Sequence, residues 1–173
     1  MPRILKRFLL LGLILSITGC GTTDNALNIG DTVSDFRLDT LTHERFYLNQ
    51  HKDKVVVLVF WATWCRPCKT EMIELQSLTK RPEWKNVTVA AVCSDPENTI
   101  DAENIVRHLE ITYPILMDYN SHLGNKFGVS AHPTTMIFDL RRRLSFVRVG
   151  YDSNMMAQIN SKVVSLQSED NKE

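Results

Sequence analysis

Val55-Val56-Val57-Leu58-Val59-Phe60-Trp61-Ala62-Thr63-Trp64-Cys65-Arg66-Pro67-Cys68-Lys69 is the stretch whose reading decides the fold. Its first six residues are an unbroken apolar run rich in β-branched side chains, the pattern of a strand buried on both faces. Downstream, Met72, Leu75 and Leu78 fall on one stripe at helical spacing. Cys65 therefore stands where a buried strand ends and a helix begins. Unpaired N–H groups and partial positive charge at a helix N-terminus favour a thiolate there. Cys68 lies on the same face about one turn on, close enough for a disulfide. Pro67 falls in the first turn, where its missing N–H costs nothing. Two thiols on a pre-set turn, the outer one activated, make a reversible two-electron switch.

A Cys-x-x-Cys pair also serves as half of a zinc site or as an inert structural disulfide. No second Cys-x-x-Cys and no His-x3–5-His follows to complete a zinc site. An inert bridge would leave the strand-to-helix position and the flanking Trp61 and Trp64 without a reason.

Phe60 to Lys69 resembles the thioredoxin active site. Within that superfamily it resembles the membrane-tethered, extracytoplasmic thiol–disulfide oxidoreductases, including those of cytochrome c maturation. The resemblance covers residues 30–166 and implies an α/β thioredoxin fold: a mixed central sheet flanked by helices, an N-terminal β-hairpin and an inserted helix. It implies Cys65 and Cys68 as the catalytic, redox-active disulfide pair, supported by Trp64, Arg66, Pro67, His132 and Pro133. No cofactor and no metal is implied.

Working outward, residues 1–19 read as a lipoprotein-type signal peptide. Arg3, Lys6 and Arg7 give a positive start, and Phe8 to Ile17 is apolar but shorter than the ~20 residues that span a bilayer. Ile17-Thr18-Gly19-Cys20 resembles a lipoprotein box, which implies cleavage before Cys20 and lipid on its sulfur. Such a chain would sit on the extracytoplasmic, periplasm-facing side of a bacterial membrane. Residues 20–29 then form a lipid-anchored tether. Gly30 to Leu38 resembles the opening shared by these oxidoreductases and the peroxiredoxins. Phe36/Leu38 and Phe46/Leu48 alternate with polar residues and predict two short strands in a hairpin.

Val87 to Cys93 predicts a second buried strand, and Ala102, Ile105 and Leu109 predict the inserted helix. Tyr113 to Met117 reads as extended, and Leu123, Phe127 and Val129 predict a helix ending at Gly128. His132-Pro133-Thr134, ahead of the strand Thr135–Phe138, resembles the cis-proline loop that faces the dithiol in thioredoxins. Leu140 to Arg143 is a turn in which the family usually has a glycine; here three arginines stand. Ser153 predicts the N-cap of a last helix carrying Met156, Ile159, Val163 and Leu166. Residues 167–173 read as a polar tail.

Five positions carry separate expectations. Cys93, on an apolar strand, reads as a buried, inert thiol. Val59 occupies the place where thioredoxin carries a buried Asp, so the proton acceptor must come from elsewhere. Asp95 or Glu97 is the expected source. His132, beside the thiols, would titrate near neutral pH and add positive charge to the site.

Charge is balanced, with 20 basic and 20 acidic residues among 173, and no basic stripe points to nucleic acid. The expected partners are disulfide-containing proteins and a membrane thiol donor of electrons. Other classes stay open. Cys65, Cys68 and His132 are a soft donor set for a copper-handling module, and the 30–38 stretch suggests a peroxiredoxin-like peroxidase. A non-catalytic docking module is the third.

Overall fold

The computed structural model describes residues 26–170; Cys20 and the signal segment lie outside the described residues. Seven strands form one sheet in the order β2-β1-β5-β4-β3-β6-β7. Its centre is β3 (Val55–Trp61), parallel to β4 (Val87–Cys93) and antiparallel to β6 (Thr134–Phe138). β5 (Ile115–Met117) runs parallel to β4, and β7 (Leu144–Val149) pairs antiparallel with β6. The hairpin β1 (Arg37–Thr40) and β2 (Arg45–Tyr47) joins the far edge through β5. Leu48 falls in a short 3-10 turn rather than in β2.

Every residue of β3 is fully buried, because alternate side chains serve two cores. Val55, Val57, Val59 and Trp61 pack with Met72, Leu75 and Leu78 of α1 (Arg66–Thr79) and with Met155, Ile159, Val163 and Leu166 of α4 (Met155–Asp170). Ala102 of the inserted helix α2 (Thr99–His108) joins that core. Val56, Leu58 and Phe60 face the other side and meet Leu123 and Phe127 of α3 (His122–Phe127). This is the mixed-sheet thioredoxin fold expected from the resemblance.

α4 carries Met156 as expected, partly buried beside the fully buried Met155. Two local expectations are corrected. Ser153 does not cap α4; the Asp152 carboxylate accepts the Asn154 N–H (2.9 Å) and the Asp152 carbonyl accepts the Met155 N–H (3.0 Å). α4 also continues to Asp170, so Gln167 to Asp170 of the polar segment are helical.

The turn with three arginines keeps the left-handed geometry that glycine would supply. Arg142 has φ +63°, and the Asp139 carboxylate holds the turn by accepting the Arg141 N–H (2.9 Å), the Arg143 N–H (2.8 Å) and the Arg143 Nε–H (2.8 Å). The segment before β1 is stitched to this corner. Gly30 N–H donates to Leu144 O (2.7 Å) and Val33 N–H to Arg142 O (2.9 Å). Ala26, ahead of that segment, packs on the domain as well: a Cβ at Gly128 would lie 2.3 Å from that of Ala26.

Among the described residues no helix is long and apolar enough to cross a membrane.

Candidate active site

The C-terminal ends of β3 and β4 and the start of β6 meet at one pole, and the chain leaves β3 there in a tight turn. Cys65 N–H donates to Ala62 O (3.0 Å). Cys65 is the N-cap of α1, in extended conformation, and its Sγ accepts the N–H of Cys68 at 3.3 Å. A side chain that takes an orphan N–H of the first turn is the usual capping device; here the acceptor is sulfur. Cys65 and Cys68 are joined as a disulfide, with Cα atoms 5.4 Å apart. Cys65 is only 3% exposed and Cys68 fully buried. The exposed neighbours are Trp64, at 71%, with Arg66 and Pro67.

The peptide between His132 and Pro133 is cis. Pro133 is buried and His132 half-buried, with the His132 ring 5.9 Å from that of Trp64. Burial lowers the His132 pKa from 6.5, against opposing effects of the Asp95 charge and the Ala131 backbone. The ring is therefore neutral at pH 7, and the positive charge expected of it is not supplied there. Its Nδ1 is buried without a partner among the described residues.

The residue that sequence reasoning missed is Glu71. It lies one turn beyond Cys68 on α1 and is fully buried. The Thr135 hydroxyl donates to its Oε1 in a short hydrogen bond, and its Oε2 has no partner among the described residues. Burial, with a smaller push from Glu74, raises its pKa to about 7 in spite of Thr135. Thr135 is the β6 partner of Val59. A buried acid thus stands on the helix against the strand that flanks Val59. The signal was present in the sequence: position 71 sits three residues after Cys68 and four before Leu75, inside the apolar stripe of α1.

The two expected acids are placed differently. Glu97 is exposed in the loop after β4. Asp95 is buried and committed to donors: Thr63 N–H (3.0 Å to Oδ1, 3.1 Å to Oδ2), Thr63 Oγ1–H (2.5 Å), Cys93 Sγ–H (3.4 Å) and Asn98 Nδ2–H (3.3 Å). Burial pushes its pKa upward, and these donors outweigh that and hold it below the usual value. Cys93 is fully buried, and burial drives its thiol up to about 12, which leaves it unreactive at neutral pH. Among the described residues no group of three His, Cys, Asp or Glu side chains is placed to hold a metal ion.

Residues 29–147 match the AhpC/TSA family. The chain is 29% identical to the thiol-disulfide oxidoreductase ResA of Geobacillus thermodenitrificans over 154 residues, 86% of this chain and 88% of that one. It is 35% identical to the thioredoxin-like protein YneN of Bacillus subtilis over 125 residues, 70% of this chain and 71% of that one. The crystal structure of a thiol:disulfide interchange protein of the thioredoxin family from Chlorobium tepidum superposes with a TM-score of 0.71, covering 82% of this chain and 99% of that one at 23% identity, a likeness of fold. With a disulfide at the head of a helix, a cis proline beside it and relatives of this kind, the chain belongs to the AhpC/TSA family and is one of its thioredoxin-like thiol–disulfide oxidoreductases.

Proposed function

We propose that the protein reduces disulfides of partner proteins on the extracytoplasmic side of a bacterial membrane, held there by lipid on Cys20, with the partners of cytochrome c maturation as its substrate class. The observation that carries the catalytic part is the Cys68 N–H aimed at the Cys65 sulfur, at the start of a helix beside an exposed tryptophan. Once the pair is reduced, that N–H and the helix terminus favour a thiolate on Cys65 over one on Cys68.

The Cys65 thiolate attacks one sulfur of the partner's disulfide. A Cys65–partner bond forms, and the partner's other sulfur leaves as a thiolate that takes a proton from solvent. Cys68 then loses its proton and attacks Cys65. The Cys65–Cys68 bond forms and the partner departs with both sulfurs reduced. The Cys68 proton needs an acceptor on the buried side, and Glu71, one turn away with a pKa of about 7, is matched to that task at neutral pH. Two electrons from a membrane thiol donor then return the disulfide to the dithiol. Trp64 and the Pro133 loop form the surface against which the partner chain lies, and the loop backbone is available to pair with it.

The test is to trap mixed disulfides with a Cys68→Ser variant in the native host. A Cys65-linked partner protein, released by reductant and absent from a Cys65→Ser, Cys68→Ser control, is the expected result. An empty trap in a host whose cytochromes c mature normally without the protein would reject the substrate class.

A further inference from the structure

Asp95 looks at first like a spare acid near the dithiol, but its surroundings give it another task. The groups that donate to its carboxylate come from three places in the chain, and its charge also reaches the His132 ring on the proline loop. Thr63 belongs to the turn that delivers Cys65, Cys93 ends β4, and Asn98 precedes α2. With its oxygens taken by these donors, the carboxylate cannot also serve as a proton acceptor for a thiol without losing its hold on Thr63.

Thr63 is two residues before Cys65, and between them only Trp64 intervenes, its side chain in solvent. No packing of Trp64 against the core fixes the turn. The turn is instead held by Ser94 N–H on Trp61 O (2.9 Å), Cys65 N–H on Ala62 O (3.0 Å) and the two donors of Thr63 on Asp95. The turn borders a groove beside Trp64. Thr63, Trp64 and Lys69 line one wall of that groove of about 350 Å³, and Asp101, Asn104 and Ile105 of α2 line the other.

We propose that Asp95 is a positioning residue of the dithiol site, clamping Thr63 so that the Cys65 sulfur is held over the first turn of α1. The proposal rests on the reading of Cys65 as the attacking thiol. It assigns Asp95 no contact with the reacting sulfurs. Loosening the clamp lets the Cys65 sulfur swing away from the Cys68 N–H, and the thiolate loses a charge-assisted hydrogen bond.

The experiment measures alkylation rate against pH on the reduced full-length protein, with each modified cysteine identified by peptide mapping. Cys93 is left in place, because it donates to Asp95. Thr63→Ala is the deciding variant: it removes one donor and leaves the Asp95 charge. The expected result is a raised Cys65 pKa and alkylation about threefold slower at pH 7, in proportion to the lost thiolate. Thr63→Ser restores the hydroxyl and should restore the parent profile. Asp95→Asn, which turns an amide N–H toward those donors, should slow Cys65 in the same direction. A Cys65 profile unmoved by Thr63→Ala, with only the denaturation midpoint lowered, would mean a merely structural contact and overturn the proposal. An unmoved Thr63→Ala together with a lowered Cys65 pKa in Asp95→Asn would show an effect of charge alone and overturn it as well. Mapping of the parent protein separates the two layers: if Cys68 is alkylated first there, the assignment of the nucleophile has failed before any variant is compared.

Discussion

The Thr135 hydroxyl, two residues beyond the cis Pro133, donates to the Glu71 carboxylate, one helical turn beyond Cys68. This bond ties the proline loop to the helix that carries the dithiol, on the side of the sheet where Val59 offers no acid. It also leaves Glu71 half satisfied, since Oε2 has no partner among the described residues. A buried carboxyl in that state favours its proton.

The first prediction follows from that proton. The Glu71 pKa rises from 4.5 to about 7 on folding, so between these values the folded state binds the proton and the unfolded state does not. Stability therefore falls as pH rises through this window and levels off above it. Each tenfold gain in proton affinity on folding is worth about 1.4 kcal/mol, so the whole effect is a few kcal/mol. Glu71→Gln, which keeps an acceptor for Thr135, should flatten that slope. Urea midpoints of the oxidised protein from pH 5 to 8 check it; equal slopes in parent and variant would show that Glu71 does not titrate there.

Much of the fold was legible because its signals are periodic. Two-sided burial of β3 reads as an uninterrupted apolar run, and α1 reads as a stripe. Glu71 was not found because a charged residue in a helix is read as facing solvent unless its place in the stripe is weighed. Asp95 was found as an acid near the site, but its role depends on Thr63 and Asn98 converging on it, and hydrogen-bond direction has no sequence period. Ahead of α4 the side-chain acceptor is Asp152 and not Ser153, and both are capping residue types. At the arginine turn, the missing glycine was visible and the Asp139 carboxylate that replaces its effect was not.

That turn yields the second prediction. Arg142 holds φ +63°, a conformation that costs an L-residue roughly 1–2 kcal/mol relative to the right-handed region, against roughly 0.5–1 kcal/mol of extra chain entropy lost by a glycine. Arg142→Gly should therefore raise stability by up to about 1 kcal/mol and leave disulfide reduction unchanged, since the turn lies at the pole opposite Cys65. Thermal or urea unfolding measures the first and turnover the second.

Trp64 separates stability from reaction. Its side chain is 71% exposed, so Trp64→Ala should change unfolding free energy by no more than about 0.5 kcal/mol. If the ring forms part of the partner's contact surface, kcat/KM toward a protein disulfide should fall about tenfold, or about 1.4 kcal/mol of transition-state binding. A small disulfide such as oxidised glutathione, which needs less surface, should be affected far less. Equal losses on both substrates would assign Trp64 to the chemistry of the thiols rather than to docking.

The anchor is tested apart from the fold. Mass spectrometry of the protein taken from membranes should find a diacyl or triacyl Cys20 as the N-terminal residue. An unmodified Cys20 in a soluble protein, or a retained Met1, would remove the lipid from the proposal and leave the oxidoreductase chemistry untouched.

His132 provides the last test, and the expected outcome differs from the one drawn from sequence. By sequence, a histidine beside a thiolate lends positive charge, so that its removal raises the Cys65 pKa. In the structure, burial lowers the His132 pKa from 6.5, and the Asp95 charge only partly offsets it. With its pKa lowered, the ring is mostly neutral at pH 7 and above and contributes little charge for Cys65 to lose. His132→Ala should therefore leave Cys65 alkylation unchanged above pH 7, and parent and variant should diverge only on the acid side, where the ring gains its proton. The same titration acts on stability with the opposite sign to Glu71. A base whose pKa is lowered on folding binds its proton more readily when unfolded, so its contribution is complete above pH 6.5 and is lost as pH falls toward the lowered folded pKa. His132→Ala should remove that acid-side loss while leaving the Glu71 slope in place. Alkylation profiles that part company above pH 7 would mean that the ring is protonated there in spite of its burial, and that it does act on Cys65 by charge.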